Sequence, residues 1–442
     1  MTVPEQDADG DGNIQVGGNA NVTQIINNYH DTEDWVKREE LEKVISDMVV
    51  STLSELGISA QNQTEGKELN TEEAEVVDET LQGAVAAEEA GIEFDPWGYI
   101  SLGNAAQLRG QAFSSENYYR EALRLFIEEG EHDGKAESLI GLGTIARNRG
   151  DYGEAERLYR EALVIKRDTG DQRGEGMSLN SLGTTYFRLG NYKEAQTLFS
   201  EALIVLREIE EGGAQMEVAR ALCNLGLVSM HLNVFDEAEG LLNESLEIRR
   251  ECEDREGEGM SLNNLGVLAN KRNEMDEAER LYRECLAIES EIGARRRQGT
   301  TLYNIGVIRS NKDDFDEAER LLNESLERHR ETGYRRGEGL ALRMLGVNFQ
   351  KRGKLEEAER LHMKALRIFR QIKELREEAE TRRTMGNVAV EREDYESAER
   401  NYREYVRIFN KIGLPLPDWY IENGYTDSDA DWDFPSPPSS MA

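Results

Sequence analysis

An apolar residue followed by glycine recurs along this chain at a nearly fixed interval. The glycines are Gly103, Gly143, Gly183, Gly226, Gly266, Gly306, Gly346 and Gly386; six of the seven spacings are 40 residues and one is 43. Twelve residues after each glycine stands a small residue: Ser115, Ala155, Ala195, Ala238, Ala278, Ala318, Ala358, Ala398. Seven further on come Ala122, Ala162, Ala202, Ser245, Cys285, Ser325 and Ala365, with Tyr405 breaking the rule. A period of this length implies stacked supersecondary units, each too small to bury its own apolar face alone.

Small side chains at these offsets let two antiparallel helices approach closely, since a branched Cβ would hold the backbones apart. The fillers fall between them. Leu102, Leu142, Leu182, Leu225, Leu265, Ile305, Leu345 and Met385 precede the glycines, and Tyr119, Tyr159, Phe199, Leu242, Tyr282, Leu322, His362 and Tyr402 lie on the second helix. The pattern resembles the tetratricopeptide repeat, with an apolar-Gly pair on helix A and Ala, aromatic, Ala on helix B. The resemblance covers residues 96–413 and implies an all-α, right-handed superhelical solenoid of about eight antiparallel helix pairs. Two departures stand out: the period is 40 rather than near 34, and no proline closes each copy. Both point to longer second helices and to the type of repeat found in kinesin light chain and Pins-type adaptors. The run Arg173-Gly174-Glu175-Gly176 through Gly183, then Gly190-Asn191-Tyr192 through Leu203, carries that likeness.

The formal charge is −35, from 88 acidic against 53 basic residues, which disfavours a nucleic-acid partner. Of the basic residues 40 are Arg and 13 Lys. Such a surface suits either a protein adapted to high salt, a halophile, or an ordinary acidic adaptor with solvated Glu-Arg pairs. Glu156/Arg160, Glu279/Arg283 and Glu399/Arg403 have the i,i+4 spacing of the second reading. Cys223, Cys252 and Cys285 are scattered, which fits a reducing compartment. With no signal peptide and no long apolar run, the expected place is the cytoplasm, away from membranes.

Catalytic chemistry has no visible carrier. His30, His132, His231, His329 and His362 lie far apart with no partner at metal-ligand spacing. Gly174-Glu175-Gly176 follows no strand and lacks the Lys-Ser/Thr of a phosphate loop. No nucleophile has a base at recognisable spacing, and no carboxylate pair stands out. The reading is a non-enzymatic interaction scaffold without cofactor or metal, with a protein or peptide as partner.

In the family it resembles, helix A lines the concave face, at positions three residues before each glycine and one and four after. Here that track carries Asn180, Phe187, Met230, Asn263, Val267, Tyr303 and Val307, and ends with Arg343 and Arg383. Apolar positions with interspersed amides suit a peptide, because Asn bonds a backbone whatever its side chains are; packing against neighbouring helices is the alternative for some of them. The Lys-Asn-Asn-Lys-Arg clamp that chaperone-binding members use for a C-terminal carboxylate is not reproduced. Arg295-Arg296-Arg297 and Arg335-Arg336 fall at turns, where pairing with neighbouring glutamates is expected.

Three parts flank the array. Residues 1–30 are Asn/Gly-rich and β-prone; 31–95 read as an amphipathic helix over 31–57, a polar stretch, and a second helix from about 71 to 90; 414–442 read as a disordered acidic-aromatic tail. In the first part, Ile14, Gln15, Val16 and Gly17, followed by Val22, resemble the RIP homotypic interaction and amyloid-signalling motifs of prokaryotic NLR-type systems. β-branched alternation with Asn/Gln ladders suits such assembly. A homo-oligomer through residues 11–57, by this motif or by a short β segment, stands beside a merely disordered lead. In the tail, residues 418–434 hold five aromatics among six acids; this segment reads either as a solvated tail kept for solubility or as one that occupies the groove near Arg343 and Arg383.

Overall fold

The computed structural model describes residues 35–58, 69–209, 214–412 and 416. These residues are all-α, with 18 helices and no strand among them. They fall into two compact units, residues 1–248 and 249–442.

The first unit opens with α1 (Trp35–Glu55) and α2 (Thr71–Glu89). Asn70 starts α2 through a capping box with Glu73, which satisfies two otherwise orphaned backbone N–H groups. Consecutive pairs follow: α3 (Pro96–Leu108) with α4 (Ala112–Glu129), α5 (His132–Arg149) with α6 (Tyr152–Thr169), and α7 (Gln172–Arg188) with α8 (Tyr192–Arg207). The unit closes with α9 (Gln215–His231) and most of α10 (Phe235–Glu251). The second unit holds α11 (Arg255–Lys271) with α12 (Met275–Glu291), α13 (Arg295–Asn311) with α14 (Phe315–Glu331), α15 (Arg335–Lys351) with α16 (Leu355–Gln371), and α17 (Leu375–Glu391) with α18 (Tyr395–Lys411).

The period has a simple origin. From α11 to α18 every helix is 17 residues long, and three-residue connections join them, which together span 40. The length beyond the shorter repeat is therefore shared by both helices of a pair, not added to the second alone. Each connection carries one residue in the left-handed region. Glycine takes that place at Gly293, Gly333 and Gly353, but Asn273, Asp313, Lys373 and Glu393 hold it elsewhere, where a side chain costs about 1–2 kcal/mol.

Within a pair, close approach decides which residues are tolerated. At Gly266 a Cβ would lie 2.6 Å from the Tyr282 ring; the phenol of the partner helix occupies the volume a side chain would need. The small residues at the two downstream offsets are fully buried in every pair. Where Ser or Cys replaces Ala the polar atom finds a carbonyl: Ser245 Oγ donates to Ala219 (2.7 Å), Ser325 Oγ to Gly299 (2.7 Å) and Cys285 Sγ to Gly259 (3.1 Å). Tyr405, the exception, is buried against Phe409 with ring centroids 4.4 Å apart.

A second buried column lies seven residues beyond each filler on the second helix. In the first unit it reads Phe126, Lys166, Leu206; in the second, Arg249, Glu289, His329, Phe369, Phe409. Charged members are compensated locally. Lys166, 3% exposed, has its ammonium 3.0 Å from Glu137 and 2.9 Å from Asp171. Burial alone would lower its pKa, but Glu137 and Asp171 hold it above the usual lysine range.

The two buried histidines of the second unit behave differently. Burial, with the nearby Arg296, pushes His329 down to about 4, partly opposed by Glu338; burial, with Arg343, pushes His362 down to about 3. Both rings are neutral in the folded chain near pH 7, whereas an unfolded histidine takes up a proton near pH 6.5.

Two outcomes follow. Gly266→Leu must displace the Tyr282 ring and should cost at least ~1–3 kcal/mol, read as a lowered thermal midpoint; an unchanged melt would contradict this crossing. The unfolded state binds the extra protons, so stability is intact above pH 6.5 and falls as pH drops toward 4 and 3, by about 1 kcal/mol per pH unit for each histidine. Tyr fills the position of His362 in four other copies. His362→Tyr should therefore reduce the loss of thermal midpoint between pH 7 and pH 5, and an identical slope would refute it.

Candidate partner-binding face

Within each unit the face in question is built by the helix A of each pair, and side-chain contacts between successive helices A order it. Several of these contacts share one offset. In the second unit Arg297 Nη1 donates to Glu256 (2.6 Å), Asn304 Nδ2 to Asn263 Oδ1 (3.2 Å), Arg336 Nη2 to Glu377 (2.6 Å) and Gln350 Nε2 to Glu391 (2.5 Å). Every one of these spans 41 residues, one more than the repeat. Lys351 Nζ donates over the same offset to the carbonyl of Ser310 (3.2 Å). In the first unit Arg173 Nη2 donates to Glu217 at 2.6 Å across 44 residues, the 43-residue interval plus the same one-residue step. Neighbouring helices A thus lie one residue out of register, and polar side chains bridge them sideways.

This ladder decides the state of the expected contact residues in the second unit. Asn263 has its carbonyl engaged by Asn304. Val267 and Val307 are half-buried, and Tyr303 is half-buried with its phenol raised in pKa by burial, Arg343 opposing and Glu377 reinforcing. Arg343 Nη2 donates to Glu377 at 3.0 Å, and Arg383 Nε to Glu380 at 3.0 Å. The two arginines are therefore compensated within the chain. The arginines expected at turns instead open α13 and α15, and they are compensated too: Arg295 lies 3.5 Å from Glu331, Arg335 bonds Glu338, and Arg336 shares Glu377 with Arg343.

In the first unit the same positions behave otherwise. Phe187 is half-buried in an aromatic trio, edge-on to Tyr192 (5.5 Å) and His231 (5.1 Å), while Tyr192 stacks on His231 at 4.8 Å. Met230 is buried. Asn180 is 3% exposed, and neither its side-chain oxygen nor its nitrogen has a hydrogen-bond partner. Its backbone carbonyl accepts from Thr184 Oγ1 at 2.9 Å, so the helix itself is satisfied there. Sequence reading placed Asn180 on the track; its unmet bonding capacity depends on neighbours that the pattern does not specify.

The outer faces of the second helices follow the i,i+4 expectation. Arg160 Nε donates to Glu156 (2.9 Å), Arg283 to Glu279 (3.0 Å) and Arg403 to Glu399 (2.9 Å). Among the described residues no three or more His, Cys, Asp or Glu come together to hold a metal, and no helix is long and apolar enough to cross a membrane. Ile14, Gln15, Val16, Gly17 and Val22, and the tail segment 418–434, lie outside the described residues.

Known proteins supply the family. The model of the tetratricopeptide repeat matches residues 96–168, 147–208, 217–290, 297–371 and 349–411, and a second tetratricopeptide repeat model matches 180–253. No curated protein matches the chain by sequence. Among solved structures, a Rap protein complexed with competence and sporulation factor is 13% identical, with 83% of this chain and 99% of that one covered and a TM-score of 0.57. Aspartyl phosphate phosphatase F from Bacillus subtilis is 11% identical (84% and 96% covered, TM-score 0.56). The apo form of the quorum sensor NprR from B. thuringiensis is 15% identical (66% and 82% covered, TM-score 0.54). These likenesses describe a fold. With the repeat model matched from the first helix pair to the last, the chain belongs to the tetratricopeptide repeat family.

Proposed function

We propose that this protein is a non-enzymatic adaptor that holds a peptide or a segment of a partner protein against its helix A face, in a prokaryotic signalling or defence pathway. The observation that carries the reading is the Asn180 amide. A buried amide left without partners costs about 1–3 kcal/mol, and native structures tolerate few such groups without a reason. Its carbonyl and amino groups match the N–H and C=O of one peptide unit, which an extended ligand can offer whatever its side chains are. The apolar Phe187 and Leu227, both half-buried on the same track, supply contacts without competing for those bonds, with Met230 buried beneath the face.

The second-unit residues have a different part. Asn263, Tyr303, Arg343 and Arg383 are occupied with the chain's own groups, so they bind by exchanging internal partners or by apolar contact beside Val267 and Val307. One related fold, the Rap protein, was solved with competence and sporulation factor bound, and another is named a quorum sensor; both support a signalling context.

The test uses the full chain and peptides selected on it from a displayed random library. Asn180→Leu keeps volume but removes both bonding groups. It should leave the thermal midpoint unchanged or higher while weakening the selected peptides at least ~10-fold, the worth of one well-made bond or more. A lowered midpoint with full peptide affinity would make Asn180 a packing residue and sink the proposal.

A further inference from the structure

One copy reverses the charge of its outer face. Eighteen residues after the repeat glycine, the second helix carries glutamate in the other seven copies, from Glu121 and Glu161 to Glu324 and Glu404. The seventh copy has Lys364 there. The position just before it is Arg, Asn or Ser elsewhere, as at Arg283 and Asn323, and in the seventh copy it is Met363.

In the second unit that glutamate ties copies together. Glu284 accepts from Arg250 Nη2 of the preceding copy at 2.6 Å and from Arg280 Nη1 of its own helix at 3.2 Å. Glu324 accepts from Arg320 Nη1 at 3.3 Å. Lys364 can accept neither bond. Arg250 also bonds Glu258 at 2.7 Å; Arg330, at the matching place, keeps only the equivalent bond to Glu338, at 3.0 Å. Arg360 matches Arg280 but has no hydrogen bond or ion pair among the described residues, although Glu356 and Glu357 lie one turn before it. Arg367 and Lys364 likewise have none among those residues.

The outcome is one stripe on α16. Arg360, Met363, Lys364 and Arg367 stand at i, i+3, i+4 and i+7, and all are exposed, Met363 by 48%. Three cations without partners and one apolar side chain thus share about 10 Å of helix. Like charges at this spacing weaken a helix, and a glutamate at 364 would remove that cost. Stability given up in this way is a mark of function.

The chemistry of the stripe selects its partner. Repulsion from a chain of net charge −35 opposes the approach of a polyanion such as a nucleic acid or an anionic bilayer. A short segment with few carboxylates meets little of that repulsion, because beyond a Debye length of about 8 Å the distant charges are screened. Met363 calls for an apolar side chain between those carboxylates, and its flexible thioether adapts to the shape offered.

We propose that the outer face of α16 docks an acidic helical segment of a partner protein, with carboxylates spaced to meet Arg360, Lys364 and Arg367 around an apolar residue. This surface belongs to a second helix and stands independently of the role assigned to the helix A face.

The test titrates the full chain at low salt with a labelled helical peptide carrying Glu at i, i+4 and i+7 and Leu at i+3. Lys364→Glu should weaken binding at least ~10-fold. Because it returns a carboxylate to Arg330 and Arg360, its thermal midpoint should equal or exceed the native one, so the loss is not one of folding. Arg367→Gln should weaken binding in the same direction. Lys43→Glu, the same change of charge on α1, should leave it unchanged. No binding to the native chain, equal affinity for Lys364→Glu, or the same loss in Lys43→Glu would overturn the proposal. So would a native chain that ignores the peptide but self-associates, or binds phosphatidylserine vesicles, through Lys364.

Discussion

Everything in this chain depends on how closely two helices of a pair approach at the glycine. With no Cβ at Gly266 or its counterparts, the partner helix can lay an aromatic or leucine side chain directly on the backbone. That contact sets the crossing, and the crossing determines which downstream positions must be small. The two offsets of fully buried small residues are its consequence. A unit of this kind buries only one side of each helix, so the next pair must cover the other, and stability becomes a matter of neighbours.

Charge is organised around the same geometry. The one-residue register step between successive helices A brings acids of one copy beside bases or amides of the next, as in Glu256 with Arg297 and Glu377 with Arg336. Individually such half-exposed pairs are worth little. Their effect is to fix how side chains on the helix A face are used. Where the step joins two functional groups, the face is internally satisfied; at Asn180 it is not.

Periodicity made the helix pairs, their number and the buried small residues legible, because each follows from a repeated steric demand. The roles of Arg343 and Arg383 were not legible as free cations, since Glu377 and Glu380 meet them only through folding. Nor did the 40-residue period reveal the 41-residue contacts, which need the register of neighbouring helices. The second buried column, with Lys166, Arg249, Glu289 and His329, shows no apolar signature along the chain. The exchange of glutamate for Lys364, by contrast, is visible once the eight copies are aligned column by column; a search for what the copies share passes over it.

The central claim is that the helix A face receives the partner. Hydrogen exchange across the full chain, with and without a saturating selected peptide, tests it most directly. The account predicts added protection in helices A of the first unit, strongest in α7 around Asn180 and Phe187, with the outer faces of α6, α8 and α10 unchanged. Protection concentrated in those second helices, with α7 unaffected, would contradict it.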